Sequence, residues 1–229
     1  MIRHVLWDLD GTLLDFLSAE RAAVKKCFAI FGLGECTDEM AARYSAVNVR
    51  YWEKLERGEM TREEILPGRF REFLTSCGRD GGLAERFNLE YEERLTDTVI
   101  FLPGARETVE ALRGRVVQSI VTNGNKIVQI PKLRASGLGE IMDHVFISEL
   151  MGAEKPTRAF FDAVFAELGE PDPGEVLIVG DSLTSDMLGG VNAGIRTCWY
   201  NPAGKPNPRN IPVDYEIREI SRVTEITGQ

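Results

Sequence analysis

Histidine and cysteine are both scarce. The chain has only His4 and His144, and its four cysteines, Cys27, Cys36, Cys77 and Cys198, are scattered with no C-x-x-C pair. A Cys/His zinc site and a disulfide framework are therefore poorly supported, and a reduced cytoplasmic protein is the expectation. No apolar run approaches the roughly 20 residues that a helix needs to span a bilayer. Met1-Ile2-Arg3-His4 reaches Asp8 after a short apolar run, unlike a secretory signal. Basic residues are in deficit, with 27 Lys+Arg against 36 Asp+Glu and a net charge of −9. That sign repels a phosphate backbone and argues against long nucleic acid as a partner. It repels a small phosphate ester too, so an anionic substrate must find a local cation, either a metal or a lysine. Internal repeats and low-complexity tracts are also lacking.

What is present is enough for a real core. The 229 residues are 43% apolar and 28% charged, which fits one large domain or a core carrying a smaller insert. Val5 to Leu9 is a short hydrophobic run that ends in acidic residues and Gly11-Thr12, the pattern of a buried strand reaching its C-terminal edge. Similar runs are Val116 to Val121, His144 to Ser148, Val176 to Val179 and Thr197 to Tyr200. Helical patterns lie between them at Arg106 to Leu112, near Lys132 to Ala135, at Ala159 to Leu168 and at Met187 to Asn192. Pro131 should start or kink the second of these. Strands alternating with helices predict an α/β fold, a doubly wound, Rossmann-like parallel sheet with helices on both faces.

The stretch from Leu17 to Leu95 is different: charged, rich in Glu, Arg, Ala and Leu, and without strand-like runs. Helical spacing in windows such as Ala22-Ala23-Lys26-Cys27-Ile30 predicts a bundle of several helices inserted after the first strand. Phe101-Leu102-Pro103-Gly104 is the expected return hinge. The expected division is a core of residues 1–16 and 101–229 with a helical insert of residues 17–100. The tail, with Pro202, Pro206, Pro208 and Pro212, reads as surface loop before a final short strand or helix.

Four polar clusters fall at the C-terminal ends of predicted strands, where open α/β sheets place their ligands. They are Asp8-Leu9-Asp10-Gly11-Thr12-Leu13, Thr122-Asn123-Gly124, Lys155-Pro156, and Gly180-Asp181-Ser182 with Asp186 following. Taken singly, each has a plain reading: Asp-Gly is a common turn, Thr-Asn-Gly a loop, Lys155 a solvated lysine, Asp181 a helix cap and Asp186 a surface charge. Taken together and in order, they resemble the four motifs of the haloacid-dehalogenase (HAD) phosphatases. The resemblance covers the whole chain, the insert being similar to that superfamily's α-helical cap.

The chemistry agrees with the resemblance. A carboxylate such as Asp8 can attack phosphorus and form an aspartyl-phosphate, which splits one hard step into two. Asp10, two residues on, can protonate the leaving oxygen and then deprotonate the attacking water. Thr122 and the amides near Asn123 can donate to phosphate oxygens, and Lys155 can neutralise charge growing in the transition state. Bringing Asp8, Asp10 and Asp181 together requires a hard cation, and Mg²⁺ suits oxygen ligands. The family pattern implies side-chain ligation by Asp8 and Asp181 and a main-chain carbonyl from Asp10. Asp186 is expected to orient Lys155 or a metal-bound water.

The run Asn48 to Thr61 resembles the cap of YjjG-like pyrimidine 5′-nucleotidases, and N-acylneuraminate-9-phosphatases share much of the pattern. The resemblance implies a small phosphorylated metabolite as substrate, a nucleoside 5′-monophosphate first. A sugar phosphate, an acylneuraminate phosphate or a phosphomutase reaction stand as alternatives, with the chain a monomer or a dimer. The family's dehalogenases lack an acid at the position of Asp10, so its presence argues against halide release. A non-catalytic phosphate sensor would have no need of it. Tyr44, Tyr51 and Trp52 can stack on a base, although aromatics at helical spacing usually pack.

Overall fold

The computed structural model describes residues 1–228. The chain divides into two compact units, Met1–Asp15 with the chain from Ile100 onward, and Phe16–Val99. In the first unit the apolar runs form strands, since aliphatic and β-branched side chains suit a sheet buried on both faces. The strands are β1 (His4–Trp7), β2 (Val117–Thr122), β3 (His144–Ile147), β4 (Val176–Gly180), β5 (Arg196–Tyr200) and β6 (Tyr215–Ile217). All neighbours pair in parallel, in the order β3-β2-β1-β4-β5-β6. The chain winds outward from β1 to β3, returns to β4 and winds outward the other way. Right-handed crossovers then put helices on both faces, the doubly wound, Rossmann-like fold expected. The order reverses between β1 and β4, which makes the carboxyl ends of these strands the place for a ligand. Trp7 stands opposite Ile120 of β2 and Val179 of β4. Asp8 N–H still donates to Val179 O at 2.9 Å, so the register carries one residue past the strand.

The second unit contains α1 (Phe16–Ile30), α2 (Asp38–Glu56), α3 (Arg62–Ser76) and α4 (Ala84–Arg94). Thr37 caps α2, and Thr61 with Glu64 forms a capping box on α3, so both starts are fixed locally. Its centre is aromatic: Phe28, Tyr44, Phe70, Phe73, Phe87 and Tyr91 are fully buried. The Tyr44 ring stacks on Phe70 at 4.9 Å between centroids, so this tyrosine packs the interior instead of facing a ligand. Trp52 is half-buried, with the guanidinium groups of Arg62 and Arg69 at 5.6 and 5.9 Å from its ring.

A buried polar chain ties all four helices together. Arg69 donates to Asn48 Oδ1 at 2.7 Å and to Asn88 Oδ1 at 3.0 Å. Asn48 in turn donates to Glu20 Oε1 at 2.7 Å, and Asn88 to Glu92 Oε1 at 3.0 Å. One guanidinium thus serves two buried carboxylates through two amides. Burial pushes the Glu20 carboxyl up, against hydrogen bonds from Ser45 and Asn48 and the Arg69 charge. Removing the cation leaves both carboxylates without it. We expect Arg69→Met to cost about 3–5 kcal/mol of stability, read as a lower midpoint in urea denaturation.

The remaining helices belong to the first unit: α5 (Ala105–Leu112), α6 (Lys126–Ser136), α7 (Leu138–Ile141), α8 (Ser148–Met151), α9 (Arg158–Glu167), α10 (Leu188–Ala193) and α11 (Val223–Thr227). On one side of the sheet α9 buries Phe160, Phe161 and Val164 in a cluster with Leu6, Val176 and Ile178. Each such side chain contributes roughly 1.5–3 kcal/mol of burial. The tail ends in both a short strand, β6, and a short helix, α11. Pro131 does not start α6, which begins five residues earlier at Lys126 and runs through it. The helix loses the donor that would meet the Ile127 carbonyl, but Ile127 is an exposed residue where water can serve instead.

Candidate active site

The parallel sheet delivers the four polar clusters to one edge. Asp8 follows β1, Thr122 ends β2 with Asn123 next, Lys155 lies in the loop after α8, and Asp181 follows β4. Asp186 sits in a wide turn, Leu183–Met187, opened by Ser182, whose Oγ accepts from Ser185 N at 3.1 Å. Ser182 is therefore the cap of this turn, and Asp181 is not. After Asp8 the chain turns at Gly11, whose φ of +95° is costly for any other residue. A Cβ there would also lie 2.8 Å from Asp181 Oδ2, so the glycine lets the first and fourth clusters approach.

Lys155 is the centre of the site. It is 1% exposed, and its three ammonium donors have three acceptors: Asp8 Oδ1, Asp186 Oδ1 and Val121 O, each at 2.7 Å. Asn123 braces this loop from below, donating through Nδ2 to Lys155 O at 2.8 Å and accepting from Lys155 N at 2.9 Å. Asp186 Oδ2 also accepts from Ser182 N at 3.1 Å. Trp199 Nε1 fixes the main chain of Asp181 at 3.0 Å.

Asp8, Asp181 and Asp186 offer carboxylate oxygens that lie within 4.8 Å of one another. Only one ammonium among the described residues, that of Lys155, is bonded to them, with Lys205 acting on Asp181 at longer range, so the trio and its bonded cation carry a formal excess of two negative charges. The electrostatics register that excess. Burial first, then Asp186, pushes the Asp181 carboxyl up to about 7. Burial raises Asp8 well above the usual carboxylate range, with Asp186 and Asp181 adding to it and Lys155 opposing. Lys155 moves the other way: burial would lower it, but Asp186 and Asp8 together hold it firmly protonated. A cluster of hard oxygen donors lacking two positive charges fits a divalent cation of the magnesium type.

Asp10 lies apart from that cluster in its contacts. Its Oδ1 accepts from Lys132 Nζ at 2.8 Å and its Oδ2 from Gln129 Nε2 at 2.8 Å, both from α6. Thr122 is buried, and its Oγ1 accepts from Gly124 N and Gln129 Nε2, each at 3.1 Å. With both lone pairs occupied, the Thr122 hydroxyl hydrogen is left to donate. Sequence reasoning missed Gln129 and Lys132. The signal was available in the stripe 128, 129, 132, 133, 136, where a glutamine and a lysine, with Ser136, share one buried helix face with Val128 and Leu133.

A site of this kind at the switch point of a doubly wound sheet has known relatives. Residues 2–194 match the model of the haloacid dehalogenase-like hydrolases, and the chain belongs to that family. It is 37% identical to the HAD-hydrolase YfnB of Bacillus subtilis, across 98% of this chain and 94% of that protein. The crystal structure of YfnB bound to magnesium superposes with a TM-score of 0.92 over 100% of this chain and 99% of that one, at 35% identity. The pyrimidine 5′-nucleotidase YjjG of Escherichia coli is 30% identical across 97% of this chain and 96% of its own length. The pyrimidine 5′-nucleotidase PynA of Streptococcus pneumoniae is 32% identical across 94% and 90%. The chain is thus a HAD-family hydrolase. No helix among the described residues is long and apolar enough to cross a membrane.

Proposed function

We propose that this enzyme is a magnesium-dependent phosphomonoesterase that works through an aspartyl-phosphate on Asp8, with nucleoside 5′-monophosphates as its substrate class. The observation that carries the reading is the trio Asp8, Asp181 and Asp186 around the buried ammonium of Lys155. The pyrimidine nucleotidase relatives and the magnesium-bound relative support it. In this assignment the helical insert, residues 17–100, is the cap domain, and residues 1–16 and 101–229 are the catalytic core. The four cysteines are free, in keeping with a cytoplasmic enzyme acting on a small phosphorylated metabolite.

Asp8 and Asp181 side chains and the Asp10 main-chain carbonyl would hold the ion, which when bound offsets charge on the phosphoryl oxygens. An oxygen of Asp8 attacks phosphorus in line as the ester P–O bond breaks, and Asp10 passes a proton to the departing oxygen. Thr122 and the main-chain amides at Asn123 hold the phosphoryl oxygens, while Lys155 keeps Asp8 oriented and balances charge in the transition state. Asp10, now a carboxylate, takes a proton from water as that water attacks phosphorus. The Asp8–phosphorus linkage then breaks and phosphate leaves. Asp186 acts through Lys155, which it holds in place.

Phosphate release from a panel of nucleoside monophosphates, sugar phosphates, an acylneuraminate 9-phosphate and an aryl phosphate tests this. We expect the highest kcat/KM on pyrimidine nucleoside 5′-monophosphates, a fall of about 10²-fold or more in EDTA, and recovery with Mg²⁺. Undiminished turnover in EDTA would remove the metal from the reaction. A sugar phosphate as the best substrate would move the enzyme to another branch.

A further inference from the structure

The grip of α6 on Asp10 is more than packing demands. Gln129 and Lys132 are each 1% exposed, and burying an ammonium and an amide is costly unless they are matched to partners. They occur at i and i+3, on the stripe that also carries Val128, Leu133 and Ser136, where apolar side chains would suffice to pack the helix. Both reach the same carboxyl group, one to each oxygen, at 2.8 Å. The turn after β2 is kept bare for this reach. A Cβ on Gly124 would lie 1.9 Å from Gln129 Nε2, so any larger residue there would displace the amide. Among the described residues Gln129 Oε1 has no hydrogen-bond partner, and the residue serves as a donor, to Asp10 and to Thr122.

The chemistry of these neighbours decides where an Asp10 proton can point. An ammonium and an amide NH₂ offer hydrogens and no lone pair in these directions. A proton on either Asp10 oxygen therefore cannot face Lys132 or Gln129 and must be presented on the open side. When that proton departs to a leaving oxygen, the resulting carboxylate has both oxygens matched by donors. The same Gln129 amide holds the Thr122 hydroxyl, so the acid and a phosphate donor share one frame.

We propose that Lys132 and Gln129 are positioning residues that aim the Asp10 carboxyl at the leaving-group oxygen, and that this aim lets the enzyme cleave esters of weakly acidic alcohols. The inference rests on the phosphoryl-transfer reading above. An alkyl ester, such as the 5′-phosphate of a nucleoside, needs its leaving oxygen protonated as the bond breaks. A nitrophenyl ester leaves as a stable phenolate and depends little on the acid.

The test compares kcat/KM on 4-nitrophenyl phosphate with that on a nucleoside 5′-monophosphate, in the wild type, Lys132→Met, Lys132→Arg and Gln129→Met. We expect Lys132→Met to lose on the order of 10²-fold on the alkyl ester and about tenfold less on the aryl ester. Lys132→Arg should regain most of the difference, because a guanidinium also donates to the carboxylate. Gln129→Met should show the same split in smaller measure, and it decides the matter if Lys132→Met fails to fold by thermal melting. Equal losses on the two esters, or no loss on either, would overturn the inference and leave the phosphatase reading standing. A wild type that releases phosphate from neither ester would overturn the phosphatase reading itself.

Discussion

Asp8→Asn is expected to lower phosphate release by on the order of 10⁴-fold or more, while leaving the metal-free protein at least as stable as before. The amide cannot form the phosphorylated carboxylate that divides the reaction into two steps. Residual turnover would have to come from water attacking a substrate that is still held by Thr122 and Lys155. Stability should move differently from activity. Burial and the nearby Asp186 and Asp181 disfavour the charged form of Asp8, so a neutral isostere relieves repulsion within the trio. The melting temperature in EDTA should hold or rise, by about 2–4 °C for each kcal/mol relieved. A variant that lost activity together with several degrees of melting temperature would point to a structural part for Asp8 instead.

Lys155→Met should damage both properties. Among the described residues its ammonium is the single cation bonded to Asp8 and Asp186, and the side chain is fully enclosed. Truncating one partner of a buried ionic group leaves the others uncompensated, at a cost of about 3–5 kcal/mol. Loss of the charge that balances the transition state adds a fall of roughly 10²–10³ in kcat. The pair of variants thus separates two roles within a 2.7 Å contact: the nucleophile's removal spares stability, the lysine's removal does not. Urea denaturation and steady-state phosphate release on the same preparations give the comparison.

Much of this site could be read from the residues alone because parallel sheets concentrate their chemistry at strand ends. Asp8, Thr122 and Asp181 each follow or close an apolar run, and the order of the motifs put them side by side before any coordinates. Gln129 and Lys132 were harder for a physical reason. Polar residues on a helix usually face water, and Pro131 between them argued for a helix beginning near Lys132, which left Gln129 outside it. The observed α6 begins at Lys126, and only then do the two residues fall on one buried face. Arg69 illustrates the opposite limit. Its partners lie on three other helices, at Asn48, Asn88 and, through these, Glu20 and Glu92. Helical spacing gives each helix its buried face, but not which polar residues meet across four of them.

The proposed phosphorylation of Asp8 during turnover can be trapped chemically. The enzyme would be mixed with substrate and Mg²⁺, quenched within milliseconds in acid, and reduced with borohydride, which converts an acyl phosphate on aspartate to homoserine. Mass spectrometry of the peptide spanning residues 4–21 should then show the homoserine mass change at position 8, dependent on substrate. Rapid turnover with an unmodified Asp8, or with the change at Asp10 or Asp181 instead, would contradict it.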